Sequence, residues 1–467
     1  MTAAESHSHP EAQLLKDSVT VALLADRRHN PSRSDVNMFD KWRKETKGPS
    51  NGDEMFQLLE QEVTRYNALH GKDGGRCFLQ RFKKHGNKEQ PLILMICTPL
   101  MARVHKCIQA GEMVFMDTTG SLDRHNNPVY IMCTPHSTGA LPLAVWVTSS
   151  QSQSTIEECL QPLKSILPKH AFGGKGVDKG PDIVLTDDDS AQRQALQAKW
   201  KSAVLLLCVF HFLQETWRWL LDAKHGITKD VSQQLMGFMQ ALVCAQSIEE
   251  FDKKVTSLDN EPILQSNSNF KEYLNKALDR RKEWALCYRM GLMTRGNNTD
   301  NYTESMIFVF KCIILRRMRA YNLLELFHYI TNELDAFLKQ KLFDVAFSKS
   351  RSGSVAKRCI GSAASTVDAD SVNRETQSQF TFTVPSRANC DVVYTVDTVQ
   401  GTCTCRQGRN GNACPHQAAV ALKYGVNNPN FVPQTAKQRL KLAILAYGDN
   451  LSLTQQICQY SPERNRE

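Results

Sequence analysis

The hydrophobic rhythm of the chain changes several times along its length. Up to about residue 90 polar residues dominate, and Gly and Pro break the pattern in KGPSNGDE and HGKDGGR. One amphipathic stretch there, EMFQLLEQEVTRYNALH, has the period of a helix. Residues 1–90 therefore read as a disordered start with a helical lead-in. From Pro91 the character shifts to PLILMICTPLMARVHKCI, an apolar and helix-like stretch. Three β-branched and aromatic runs follow, EMVFMDTT, PVYIMCTPHS and LPLAVWVTS, joined by LDRHNN and a tight STGA, which predicts an antiparallel meander. TIEECLQPLKSIL has helical periodicity, and the Gly-rich FGGKGVDKGP leads into DIVLTD, SAQRQALQAKW and AVLLLCVF. That last order is strand, helix, strand, which demands parallel pairing because the connecting helix returns the chain to the same end of the sheet.

Three antiparallel strands followed by two parallel ones, with helices between, describe an α/β fold with an RNase H-like mixed sheet. The text from His211 to about Lys341 is nearly all helical, so a domain over 91–345 is expected to carry a large helical insertion at about 212–300. Residues 346–378 are Ser-rich and poor in large apolar side chains, the composition of a flexible linker. FTFTVP and DVVYTV then predict two strands, and QAAVALKYG a short helix closed by Gly425, defining a small module over 379–426. The remaining 427–467 hold one amphipathic helix, QRLKLAILAYG, and a polar tail.

The length, 467 residues, accommodates two or three domains of ordinary size. No run of apolar residues is long enough for a membrane-spanning helix, and the first thirty residues lack a basic start followed by an apolar core, so neither a membrane partner nor a secretory leader is expected. The 15 cysteines are scattered through apolar runs (Cys97, Cys133, Cys208, Cys312), which points to reduced thiols in an intracellular protein. A formal charge of +9 is compatible with a polyanionic partner, and on charge alone a neutral one fits as well.

Candidate chemistry lies in two places. Near the C-terminus GTCTCRQGRNGNACPHQAAVAL holds Cys403, Cys405, Cys414 and His416 as C-x-C…C-x-H. Three thiols and one imidazole complete a tetrahedral zinc shell of the structural kind, and the intervening RQGRNGNA is polar and contains Gly408 and Gly411, so the chain can fold back.

Farther upstream, Asp117 and Asp187 each end an apolar strand. A carboxylate at the end of a buried strand is costly unless compensated, and a divalent cation is one compensation. In an RNase H-like sheet the first and fourth strands are neighbours, so the two would converge. A third carboxylate would come from a helix on the same edge, with Glu304 as the candidate. Such a set holds Mg2+ or Mn2+ for phosphoryl transfer. Helix capping alone also places acids at these positions, and one of Asp188 and Asp189 can serve that purpose. Cys208 and His211 form a C-x-x-H at the following strand-to-helix turn, readable as a packed thiol and hydrogen-bonded imidazole or as a zinc pair two ligands short. Trp284 reads either as core or as a base-stacking surface, and Arg280, Arg281, Lys282, Arg316, Arg317 and Arg319 either as phosphate contacts or as solvated helix faces.

Two resemblances sharpen these readings. The strands, thiol pair, loop and helix of residues 375–425 resemble the SWIM zinc finger, matched at all four ligand positions, which implies structural Zn2+ and a role in DNA or protein binding. The segment from about Thr98 to Asn322 resembles the transposase domain of Mutator-like elements, a DDE-type nuclease, through VFMDTTGS, IVLTDDDSAQRQAL, the C-x-x-H of LCVFHFLQETWRWL, and RGNNTDNYTES. That resemblance implies catalytic roles for Asp117, Asp187 and Glu304 with Mg2+ or Mn2+, and a pocket-side or DNA-facing role for Cys208 and His211. It further implies DNA as partner, protein contacts through the finger, self-association, and a location in the nucleus, or in nucleus and cytoplasm. Many such chains are host-adopted descendants without transposition, so a silent DNA- or protein-binding factor, or a SWIM-based adaptor, stands as the alternative to a nuclease.

Overall fold

A computed structural model describes residues 32–449, apart from 87, 348–361, 369, 387–388, 390 and 434. The first part of the expected disordered start, the middle of the expected linker and the end of the polar tail lie outside the described residues. Among the described residues no helix is long and apolar enough to cross a membrane.

Helices α1 (Arg33–Lys47) and α2 (Asp53–His70) open the chain. Helix α2 is the amphipathic lead-in, and it buries Met55, Leu59, Val63 and Tyr66 at helical spacing. Next come β1 (Arg76–Gln80), a short hairpin of β2 (Lys83–His85) and β3 (Lys88–Gln90), and β4 (Ile93–Cys97). The apolar stretch after Pro91 was expected to be helix-like; only its second half is. Every residue of β4 is buried, so the strand shows no alternation and cannot be told by period from a buried helix. The switch comes at Thr98, whose hydroxyl accepts the Met101 amide at 3.3 Å and caps helix α3 (Pro99–Val104), with Pro at its first position.

After α4 (Ile108–Glu112) the meander forms as expected: β5 (Met113–Thr119), β6 (Val129–Thr134) and β7 (Leu141–Thr148). Helix α5 (Gln153–Leu160), strand β8 (Ile183–Thr186), helix α6 (Ser190–Lys199) and strand β9 (Val204–Leu207) complete one mixed seven-stranded sheet. Its order is β1-β4-β7-β6-β5-β8-β9. Strand β8 runs parallel to both β5 and β9, with Phe115 opposite Leu185 and Thr186 opposite Leu207, and the remaining pairs are antiparallel. Strand β1, which its polar surroundings concealed, pairs with β4 along its whole length. The main core fills both faces of this sheet.

The helical block contains α7 (Val209–Leu221), α8 (Lys229–Val243), α9 (Ile248–Leu258) and α10 (Ser268–Asp279), and it has a core of its own. Trp284 is fully buried there, stacked on Phe212 with ring centroids 4.7 Å apart, so it packs a core and offers no face to a base. The chain then returns to the sheet through RGNNTD into helix α11 (Asn301–Phe308), which packs on β5 and β6 and runs on as a π-helical turn, Val309–Ile314. The long apolar text beyond it is not one helix. Arg316 and Arg317 take positive φ, and Asn322 caps a new helix, α12 (Leu323–His328), which continues through a π turn into α13 (Asp335–Ala346).

The C-terminal module is a four-stranded antiparallel sheet, β10 (Asn373–Arg374), β11 (Thr381–Pro385), β12 (Val393–Asp397) and β13 (Thr402–Cys403), followed by α14 (Pro415–Tyr424). It begins inside the stretch expected to be linker, because Val372 is fully buried against Phe382, Val384 and Val396. Helix α15 (Ala436–Tyr447) packs on α13. The module is thus seated on the body of the protein rather than tethered at a distance from it.

Candidate metal centres

The C-terminal cluster is built by a tight local path. Strand β13 delivers Cys403, a turn delivers Cys405, and Cys414 and His416 stand at the start of α14. Donor atoms of all four lie within 4.8 Å of one another. His416 Nδ1 is 3.7 Å from Cys403 Sγ and 3.9 Å from Cys414 Sγ, and its ring leans on Tyr394 at 4.5 Å. The turn is closed by backbone bonds from Cys403 N to Gly408 O (3.1 Å) and from Gly408 N to Cys405 O (3.1 Å). A side chain at Gly408 would place its Cβ 2.4 Å from Cys403 Cβ, so the turn requires glycine. Amides also point at sulfur: Gly408 N to Cys405 Sγ at 3.3 Å and Cys405 N to Cys403 Sγ at 3.5 Å. The Cys403 and Cys414 thiols beside it hold Cys405 far below the ordinary thiol range, which favours the thiolate a metal binds. The cluster is a buried Cys3His set that can hold a metal ion such as zinc.

At the sheet, parallel pairing brings the ends of β5 and β8 side by side, and with them Asp117 and Asp187. Three consecutive aspartates follow β8 and the structure gives each a separate partner. Asp189 caps α6 by accepting the Gln192 amide at 2.8 Å, Asp188 takes Arg280 through two bonds of 2.9 and 2.6 Å, and Asp187 forms an ion pair with His211. His211 stands in the first turn of α7, which Cys208 opens. Its Nδ1 faces Asp187 Oδ1, and its Nε2 lies 3.4 Å from Glu304 Oε1 on α11. In the metal-free chain, pairing with Asp187, together with the neighbouring Cys208 sulfur, pushes the imidazole up to about 11.

Asp117 accepts the Thr118 amide at 2.6 Å and is pushed up to about 6, by burial first and by the Asp187 charge second. Asp117, Asp187 and Glu304 therefore face one region. They do not form a group whose donor atoms all lie within 4.8 Å of one another: among the described residues the groups that do are the C-terminal Cys3His set and Asp187, Cys208 and His211.

Sequence reasoning passed over Asp300. It is fully buried at the start of α11, its Oδ2 has no hydrogen-bond partner, and burial pushes its carboxyl well above the ordinary range, with Asp117 and Asp187 adding to the rise. In the sequence it is one polar residue among several in RGNNTDN and looks like an ordinary cap. Only its position at the meeting of α11 with β9 and α7 sets it apart.

The loop before Asp300 also carries the contact between the two clusters. Arg295, its side chain largely buried, makes a two-bond pair with Glu112 (2.6 and 2.8 Å) while donating to Asn430 Oδ1 (2.6 Å) and Gln400 O (2.8 Å). Gly296, at φ +78, lies against the Asn412 side chain where a Cβ would meet it at 2.8 Å. Asn410 of the zinc-type loop accepts from Gly291 N and Arg295 N. Of the basic candidates, Arg280 is engaged by Asp188, whereas Arg281, Lys282, Arg316, Arg317 and Arg319 are exposed. No protein-family model matches this chain, and none of the curated proteins compared with it matches either.

Proposed function

We propose that the chain is a Mutator-like transposase derivative: an RNase H-like DDE nuclease domain carrying a SWIM-type zinc finger, which binds DNA and cleaves it with a divalent metal before strand transfer. The observation that carries this reading is the pair of neighbouring parallel strands β5 and β8, with Asp117 near the end of β5 and Asp187 just past β8, and with the helix of Glu304 packed on β5 and β6. The strand order β7-β6-β5-β8-β9 is the arrangement expected of an RNase H-like sheet. The charges fit a cation, because the Asp187 charge opposes ionisation of Asp117 and a divalent ion would relieve that opposition. Asp117, Asp187 and Glu304 would hold the Mg2+ or Mn2+, which in such sites activates the attacking oxygen and stabilises the leaving one. Arg280 and the α6 cap draw Asp188 and Asp189 aside, which leaves Asp187 directed to the site. Exposed Arg316, Arg317 and Arg319, beside exposed Met318, offer phosphate and stacking contacts for DNA. Zn2+ at Cys403, Cys405, Cys414 and His416 would hold the finger's turn, and a nuclear location follows from the substrate.

The second reading is a catalytically silent DNA- or protein-binding factor, or an adaptor working through the finger. It draws on one observation: His211 pairs with Asp187 and approaches Glu304, so two of the three acids already share a cation. The test is nicking of supercoiled DNA by the purified chain in Mg2+ or Mn2+. The nuclease reading expects nicked circles, with activity reduced at least about 100-fold by Asp117→Ala or Glu304→Ala. Absence of nicking from a folded wild-type chain that still retards DNA leaves the silent factor.

A further inference from the structure

We propose that Asp187, Cys208 and His211 form a second transition-metal site, holding a zinc-class ion through one oxygen, one sulfur and one nitrogen with a coordination position left open, Asp187 bridging this ion to the Mg2+ or Mn2+ where the nuclease reading holds. As a sequence motif the C-x-x-H is two ligands short. The sheet supplies a third, because β8 and β9 are parallel neighbours and Asp187 emerges beside Cys208. The Cys208 amide donates to Thr186 O at 2.9 Å, which fixes the two strand ends together, and His211 is carried one turn along α7. The three donors all lie within 4.8 Å of one another.

Three further details belong to a ligand site rather than to a packed thiol. The Asp300 amide donates to Cys208 Sγ at 3.3 Å, the same amide-to-sulfur contact that surrounds Cys403 and Cys405 in the C-terminal cluster. Asp187 Oδ1 and His211 Nδ1 are both buried and face each other as an ion pair, a contact that no aligned hydrogen bond satisfies. The far nitrogen of the imidazole is 3.4 Å from Glu304, and a carboxylate behind the ring is how metal-bound histidines are oriented. A thiol, an imidazole and one carboxylate select zinc or cobalt over Mg2+, which requires oxygen donors. Three protein ligands with a free position is the form taken by reactive rather than purely structural zinc.

Metal content of the full-length chain tests this without DNA, so its outcome is separate from that of the nicking assay. After equilibration with Zn2+ and removal of free ion, wild type is expected to retain about two zinc per chain, one for each donor group. Cys208→Ser and His211→Ala should each retain about one. With Co2+ as the probe, the thiolate-to-metal absorption should fall by about a quarter in Cys208→Ser, because one of four thiolates is lost. Should Cys208→Ser fail to fold, Asp187→Asn, which keeps the side-chain shape, is expected to lose the same single ion. One zinc in the wild type, or two in the folded variants, overturns the site.

Discussion

The two donor clusters are made in opposite ways. In the C-terminal one the four ligands come from the end of β13, the turn after it and the start of α14, and the backbone bonds that shape the turn join residues a few positions apart. In the sheet cluster Asp117 lies on β5, Asp187 just past β8, Cys208 and His211 at the start of α7 and Glu304 on α11, and apart from the local C-x-x-H only the tertiary fold brings them together. Both use the same small device, a backbone amide aimed at a cysteine sulfur. The difference teaches that a ligand set written in consecutive residues announces its chemistry, whereas one assembled by topology announces only a fold, with its chemistry decided by who pairs with whom.

The comparison can be broken most forcefully at the C-terminal end. If that cluster holds zinc, chelation or Cys414→Ser should remove on the order of 10 kcal/mol of local stability. Hydrogen exchange would then show β10–β13 losing protection while the seven-stranded sheet keeps its own; survival of both would mean that no ion organises the module. Next in size is the contact between the two regions. Arg295→Ala leaves Glu112 enclosed without its partner, so urea unfolding should show a loss of about 3–5 kcal/mol. Limited proteolysis should then release the module from the body.

At the sheet cluster the sign of a pH effect is informative. Asp117 has its pKa raised on folding, so in metal-free protein its ionised form is penalised above pH about 6, the penalty fades as pH falls, and it is gone below the unfolded value of 3.8. Asp117→Asn should therefore stabilise the metal-free chain by roughly 1–3 kcal/mol at neutral pH and by nothing near pH 3, as read by melting temperature across pH. A gain of equal size at every pH would show that packing rather than charge sets the effect. The smallest expected change is Asp189→Ala, which removes the α6 cap at a cost of about 1 kcal/mol and leaves metal content unchanged.

Legibility followed the same division. The meander β5–β7 and the unit β8–α6–β9 were readable because β-branched runs and turn residues alternate there, and the Cys3His spacing was readable outright. Strand β4 was not, since burial on both faces erases alternation, nor was β1, a five-residue strand in polar surroundings. The start of the zinc-type sheet was hidden by Ser-rich composition, although Val372 anchors it. Asp117, Asp187 and Glu304 could be picked out as strand-end and helix-start acids, but the pairing of Asp187 with His211 is a tertiary fact. So is the burial of Asp300 with its Oδ2 unpartnered; in the sequence it resembles a cap until the elements around it close.

The long helical block between β9 and α11 has a consequence for the newborn chain. Asp117 leaves the ribosome about 190 residues ahead of Glu304, which at 5–20 residues per second means roughly 10–40 s during which β5 and β6 wait for the helix that covers them. In that interval the insertion, with its independent core around Trp284, can already close. Synthesis therefore delivers a finished helical lobe to an unfinished sheet, and chaperone demand should peak before RGNNTD emerges rather than at the chain's end.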